Sequence, residues 1–587
     1  MRRELAEAAA ALTAAPCPVI PFSIYRLFDT TGDRKAYEAF YFGHRRRLST
    51  FAALALIEGN VRWLRAAEDA VWAICDEYTW ALPAHLGGQS LSPAGCTAFS
   101  AFGAGSAQAR RHRETLDLFS CETAFALAEI LWLLHGRMEP LVVARAGSEI
   151  LERVLRPYAS LSPIYGWETA EMNWAAVCAG SIGAAAMYLI EEDETLCPIL
   201  QRTLDTMSCY HDGLQDDGYC LEGLGYWNYG IGFYTYFSSL LLQRTAGKFD
   251  LMADAKFKAA ALFQQRGLLP GGQPIPFSDV SPHYRYSPGL TQKLAELFPE
   301  EVTPPPRQLA AGLFDECSRW VPLVRNLLWS DPEYSGKKEK APENTFYYFK
   351  ESGILVSSAA HKERTASFCA KAGHNGEPHN HNDLGSFLIA LNGEPVLTDP
   401  GRGLYSKEYF SEKRYEVLAN GSQGHSVPII EGHYQAEGKA HRAEVLAASR
   451  GETEDLFELE FAEAYGEDAH LLSLRRSFRF DKSSFGLTIA DQFRFSRTPA
   501  SLVERFVTFL PPDQADENTV LLHGKAADAE LRFEAAEFAF SFRCEKFLPQ
   551  EKGRGCLYLL DFTAKHPAAR FRASFAVHES RRKPVVL

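Results

Sequence analysis

The chain has 587 residues, 46% hydrophobic and 23% charged, with a formal net charge of −13. That length exceeds one ordinary core, so two or more domains are expected, of ordinary globular composition. The acidic balance and the lack of an apolar run of membrane-spanning length argue against nucleic acid and membrane surfaces as partners. They leave room for an anionic substrate held in a locally basic cleft.

No apolar signal-peptide core precedes Pro16, and the twelve cysteines are scattered without a CxxC pair. This pattern reads as free thiols in a reducing compartment, hence a cytoplasmic protein. From the start to about residue 335 the pattern is helical. Apolar residues recur at helical spacing in Thr50–Glu68, Leu116–Leu134, Glu149–Tyr158, Asn173–Ile190, Pro198–Cys209, Tyr229–Arg244 and Asp250–Gln265. Helices of modest length joined by aromatic-rich loops, with no strict repeat, predict paired helices in a ring or solenoid. A charged, turn-rich linker follows at about 330–345, and the period then changes to two. Strands are expected over Thr345–Ser358, Thr365–Ala372, Leu456–Phe461, Leu471–Phe480, Phe485–Phe495, Ser501–Phe509, Glu530–Phe547, Cys556–Phe562 and Arg570–Val577, spaced as in an antiparallel sandwich. The expected organisation is a helical domain over 1–335 and a β-sandwich domain over 345–587.

Early in the β half, His374–Tyr405 reads HNGEPHNHNDLGSFLIALNGEPVLTDPGRGLY. A loop rich in histidine and carboxylate enters a hairpin turned at Asn392-Gly393, and the far arm carries Asp399. Imidazole and carboxylate are natural ligands of zinc or a similar divalent ion. Simple pairing about Asn392-Gly393 sets Asp399 opposite Ser386, so His381 reaches Asp399 only if the chain folds back, which Gly385 permits.

HNHNDLGSF, the eighteen residues from His381 to Asp399 in LTDPG, and HSV at 425–427 preceded by Arg414 resemble the heparinase II/III-like polysaccharide lyases. The resemblance implies an incomplete (α/α) toroid followed by an antiparallel β-sandwich. It implies His381, Asp399 and His425 as metal ligands, with His433 the rival to His425, and structural zinc as the ion. It places His379 toward the substrate. These lyases cut beside a uronic acid by β-elimination, which needs a base at C5, an acid at the leaving oxygen and a neutralised carboxylate.

In the helical half, HDGLQDDGYCLEGLGYWNYG (211–230) matches the family's general-acid context. It places Tyr226 as acid and base, with Tyr229 the fallback and Trp227, Tyr229 and Glu222 as substrate contacts. Asn173 matches the carboxylate-binding position, although an Asn there is also a good helix cap. His85 and Arg414 are further substrate-contact candidates; Arg414 otherwise pairs with Glu412 or Glu416. The first reading is a lyase acting on a uronic-acid oligosaccharide or polysaccharide, in which His379 helps neutralise the carboxylate and shares base duty. The rivals are a glycoside hydrolase drawing a carboxylate pair from Asp216, Asp217 and Glu222, and a non-catalytic glycan-binding protein. An HNH-type nuclease fits the acidic chain poorly, and a homo-oligomer is left open.

Overall fold

The computed structural model describes residues 1–86, 112–160, 164–331, 343–549 and 555–580. A helical region is followed by antiparallel β-sheets. The chain divides into two compact units: Met1–Leu214, Trp227–Ala261 and Arg285–Ser335 form the first, and Gln215–Tyr226, Leu262–Tyr284 and Gly336–Leu587 the second. The last division falls inside the expected linker, whose residues 332–342 lie outside the described set. Two short segments of the helical half, however, cluster with the sheets. Both are rich in turns and aromatics: Tyr219 packs its ring against Phe263 at 4.9 Å and Phe349 at 5.1 Å.

In the first unit, helices close in the sequence pack together. Lys35–Glu58 pairs with Val61–Cys75, and Asn173–Leu189 contacts both Leu118–Leu133 and Asp193–Asp212. The single helix expected over Thr50–Glu68 is two. Gly59, at φ +66°, ends the first, and the Asn60 side chain accepts from the Arg62 amide to cap the second. The helix expected over Glu149–Tyr158 is also composite: Pro140–Ile150, a π turn over Leu151–Leu155, then Arg156–Ser160. Leu118–Leu133 opens on a reciprocal capping box between Asp117 and Ser120. Among the described residues, no helix is long and apolar enough to cross a membrane.

Among the described residues, the second unit holds three antiparallel sheets. In the five-stranded sheet the order is Thr345–Phe349, Ile354–His361, Arg364–Lys371, Phe387–Leu391, Glu394–Leu397. A nine-stranded sheet centres on Leu471–Asp481, Gly486–Phe495 and Arg570–Glu579, and a four-stranded sheet contains Phe538–Lys546, Cys556–Ala564, Leu502–Thr508 and Ile429–Ile430. Inward residues alternate along the strands, as period two requires. Phe368 and Phe387 of the first sheet meet Phe478 of the second at 5.1 and 5.2 Å, and Phe506 of the third lies 4.9 Å from Phe575. This aromatic layer is the sandwich core.

Two expected strands are each two: the first is a hairpin broken at 350–353, and the stretch from Glu530 to Phe547 divides after Arg532 into strands of two different sheets, Ala529–Arg532 and Phe538–Lys546. Gly438–Arg450, a long strand with no buried residue, had no clear apolar alternation to reveal it. The expectation of free cysteines holds for nine of the described residues but not for Cys544 and Cys556. These two lie on paired neighbouring strands, with Cα atoms 5.6 Å apart, and are bonded as a disulfide.

Candidate active and metal site

The hairpin forms as its turn residues dictate: Asn392 and Gly393 both have positive φ, the signature of a type I′ turn. A register irregularity next to Ile389 shifts the pairing so that Ile389 faces Leu397. Before the strand, the ligand loop folds back through Gly385 at φ +85°. A Cβ there would stand 2.9 Å from the Phe461 ring, so only glycine fits both the backbone and the space. Neighbouring segments fasten the loop. Gln435 bonds both the amide and the carbonyl of Leu384, Ser422 donates to the carbonyl of Asn382, and Lys371 donates to Asp383.

The result brings His381, Asp399 and His425 together. All three are buried, and one ligand atom of each lies within 4.8 Å of the others. His433, the rival to His425, is exposed and outside this cluster. The donor set fits a divalent cation on its hydrogen bonding. His381 gives its Nε2–H to Asp279 at 3.0 Å, while its buried Nδ1 has no hydrogen-bond partner. His425 faces acceptors at both nitrogens, Asp399 Oδ2 at 2.7 Å and the Ala419 carbonyl at 3.0 Å. Without an ion that ring must carry two protons. Burial opposes this, but Asp399 overcomes the penalty and raises His425 above the ordinary histidine value. An ion would take the open Nδ1 of His381 and replace the Nδ1 proton of His425, leaving each Nε2–H on a fixed acceptor, Asp279 for His381 and the Ala419 carbonyl for His425, the arrangement that orients metal-bound imidazoles. Asp399 anchors its other oxygen on the Gly401 amide at 3.0 Å.

Asp279 joins this cluster to a second one. Its Oδ1 accepts from His381 and from the Tyr409 hydroxyl; its Oδ2 accepts from His379 Nδ1 at 2.6 Å and from Tyr405 at 3.2 Å. Burial pushes the Asp279 carboxyl up, but the hydrogen bonds from His379 and His381 and the charge of Arg414 outweigh it. The group is held well below the usual carboxylate range. Tyr226 closes the chain, with its hydroxyl 2.7 Å from that of Tyr405 and its ring stacked on His379 at 4.1 Å. Burial, assisted by Asp279, raises the Tyr226 hydroxyl well above its ordinary value and keeps it protonated. His379 itself has φ +55°, a conformation costly for a non-glycine residue and held here by the groups on its ring.

Thus Tyr226, His379, His381, Asp399 and His425 come together within the second unit, with Glu222 Oε1 3.7 Å from His379 Nε2. Asp279, Tyr405 and Tyr409 join them without having been singled out as site residues. Arg414 belongs to the same region but acts as a clamp. It donates to the carbonyls of Asn380 and Tyr409 and lies 3.6 Å from Asp279, the carboxylate it faces in place of Glu412 or Glu416. Asp217 accepts from the amides of Tyr219 and Glu351, which makes it a turn former, not half of a catalytic pair.

Asn173, His85, Trp227 and Tyr229 belong to the first unit. Met172 holds the cap position, and Asn173 is the first helical residue, 1% exposed. His85 donates to Asp117 at 2.7 Å and packs against Phe119 and Trp174. Trp227 is 1% exposed and gives its indole N–H to the Ala260 carbonyl, which corrects the expectation that its face is offered to a sugar. Tyr229 bonds Glu122 beneath the Arg319 guanidinium. Burial pushes Glu122 up to about 7, against the opposing pull of Arg319 and Tyr229.

Residues 341–551 match the family model for the heparinase II/III-like C-terminal domain. Heparan sulfate lyase HepC from Pedobacter heparinus superposes with a TM-score of 0.60 at 13% identity, covering 94% of this chain and 78% of its own. One heparinase III structure gives 0.63 at 12% identity over 91% of this chain and 76% of its own, and another gives 0.62 at 13% over 93% and 79%. At these identities the likeness is one of fold. No curated protein matches the chain.

Proposed function

From the premise that the chain carries a heparinase II/III-like C-terminal domain, we propose that it is a polysaccharide lyase. It cleaves uronic-acid glycans, as oligosaccharides or polymers, by β-elimination. The observation that carries this reading is the unbroken chain Tyr226–Tyr405–Asp279–His379, in which an acid and a base face share one buried carboxylate.

His379 donates its Nδ1–H to the Asp279 carboxylate in a hydrogen bond, which leaves the Nε2 lone pair to take the C5 proton. The C4–O4 bond then breaks, and the protonated Tyr226 hydroxyl supplies the leaving oxygen with its proton. Tyr405, whose hydroxyl lies against that of Tyr226, turns its own O–H to the tyrosinate that results. The site resets when His379 loses the C5 proton from Nε2 and the tyrosinate regains a proton, both by exchange with solvent once the product leaves. The ion held by His381, Asp399 and His425 is zinc in this proposal. It supplies a fixed cross-link between the ligand loop and its neighbours, and the elimination needs no metal-activated water.

The test is ultraviolet absorbance during incubation with a panel of uronic-acid glycans, read beside a reducing-end assay. Elimination leaves a C4–C5 double bond conjugated to the carboxylate, so absorbance rises together with new ends. New ends without absorbance overturn the proposal in favour of hydrolysis. No change across the panel favours glycan binding without catalysis.

A further inference from the structure

The inward face of Leu471–Asp481 carries Leu474, Arg476, Phe478 and Phe480. Three are apolar and one is a guanidinium at 0% exposure. Opposite it, the inward face of Gly486–Phe495 reads Leu487, Ile489, Asp491, Phe493 and Phe495, with Arg476 and Asp491 directly paired in register. A charge buried in a sandwich core costs several kcal/mol before its partners are counted, and an apolar pair of similar size would commonly be as stable. Arg476 therefore calls for a reason beyond holding the sheet together.

Its hydrogen bonds give one. Nε and Nη2 grip the Asp491 carboxylate, and Nη2 also reaches Glu504 at 3.1 Å. Nη1 points elsewhere: it donates to the carbonyl of Gly385 at 2.9 Å and to that of Ser426 at 2.8 Å. Gly385 is the pivot of the loop that carries His381, and Ser426 directly follows His425. Both carbonyls sit in buried stretches outside the strand ladders, where a missing donor would leave a buried acceptor unpaired. Asp491 aims the guanidinium, while burial and Asp491 together push Glu504 up toward its neutral form, which limits the net charge enclosed.

We propose that Arg476 is a positioning residue that ties the His381 loop to the His425 segment and so builds the metal site before the ion arrives. The inference rests on the reading of His381, Asp399 and His425 as metal ligands. It goes beyond that reading in assigning site assembly to a side chain on a different sheet, which touches neither substrate nor ion.

The experiment measures zinc affinity of metal-stripped full-length protein by competition with a chromophoric chelator, with amide exchange on the same metal-free samples. For Arg476→Lys, whose ammonium cannot serve two carbonyls and two carboxylates at once, zinc binding should weaken about 10- to 100-fold. Exchange over 381–386 and 425–428 should quicken at least about tenfold, with exchange over Ala529–Arg532 unchanged. Asp491→Asn, which leaves the guanidinium in place but loosens its aim, should weaken zinc binding about threefold or more, and it serves alone if the lysine variant does not fold. A purely structural role would lower the unfolding temperature of metal-free and zinc-loaded protein alike and leave affinity within about twofold of wild type; that result, with wild type binding zinc, overturns the role of Arg476 alone. Failure of wild type to bind zinc overturns the metal reading and this inference with it.

Discussion

Replacing Asp279 with asparagine is the sharpest perturbation of the proposed chemistry, because it changes one atom of the hub and nearly nothing of its shape. Oδ1 accepts from His381 and Tyr409, and an amide oxygen there keeps both bonds. Oδ2 accepts from His379 and Tyr405, and an amide nitrogen there cannot. It donates instead, so His379 must present a lone pair at Nδ1 and carry its proton on Nε2. The face that should take the C5 proton is then blocked. Tautomer inversion of a catalytic imidazole costs about 10³-fold or more in turnover, ~4 kcal/mol of transition-state stabilisation. Steady-state kinetics by product absorbance should show Asp279→Asn with kcat reduced by about that factor, KM within about threefold, and zinc content unchanged. The zinc measurement matters, since an amide turned the other way would disturb His381 and lose metal. A variant that keeps its zinc and turns over within about threefold of wild type refutes the role of Asp279 and, with it, the assignment of His379 as base.

Tyr226→Phe removes the proposed acid while preserving the stack on His379; turnover should fall at least about 10²-fold with glycan affinity retained, and calorimetric binding beside kinetics separates the two. Gly385→Ala places a Cβ against the Phe461 ring at a backbone φ of +85°. It should lower stability by about 2 kcal/mol in denaturant unfolding and weaken zinc binding as well, and an unchanged midpoint would show that the loop does not need glycine. Glu122 has a folded-state pKa of about 7 against about 4.3 unfolded. Because the folded protein keeps a proton that the unfolded chain gives up, stability contributed by this group falls as pH rises from about 4.3 to 7 and levels off above. Thermal unfolding of wild type and Glu122→Gln at pH 5 and 8 should therefore show the difference moving in favour of the variant, and a constant difference refutes the shift.

Two of the three candidate metal ligands, His381 and Asp399, were legible because their chemistry is dense in the sequence, whereas His425 lies outside that stretch and was implied only by the family resemblance. HNHND, the Asn392-Gly393 turn and Asp399 stand within nineteen residues of His381, and the fold-back through Gly385 was the one geometry that could unite them. Asp279 was not legible. It is a single carboxylate in a proline-bounded loop, 102 residues from His381, and nothing local distinguishes it from a turn former. Tyr405 closed the motif-bearing stretch, yet only tertiary structure sets its hydroxyl between Tyr226 and Asp279. Trp227 shows the opposite failure. In a helix with aromatics on several faces, spacing cannot say which ring is buried, and of the two chosen as substrate contacts Trp227 is core. Arg476 breaks an otherwise apolar inward face, a signal available only once the phase of the strand is known.

The division of the chain bears on how such a protein can be taken apart or recombined. Residues 341–551, the stretch shared with the family model, contain His379, the three candidate metal ligands and Tyr405. Tyr226 and Asp279 come from Gln215–Tyr226 and Leu262–Tyr284, two insets of the same compact unit encoded far upstream. A cut at the linker would yield a fragment with a complete ion-binding set but neither the proposed acid nor the carboxylate that orients the base. Transplanting the C-terminal half onto another helical half would join a base to whatever phenol and carboxylate the recipient happened to offer at those two places. The inheritable unit of activity is therefore longer than the unit that sequence comparison recognises, and exchange of segments between relatives should preserve function only when both insets travel with the sheets.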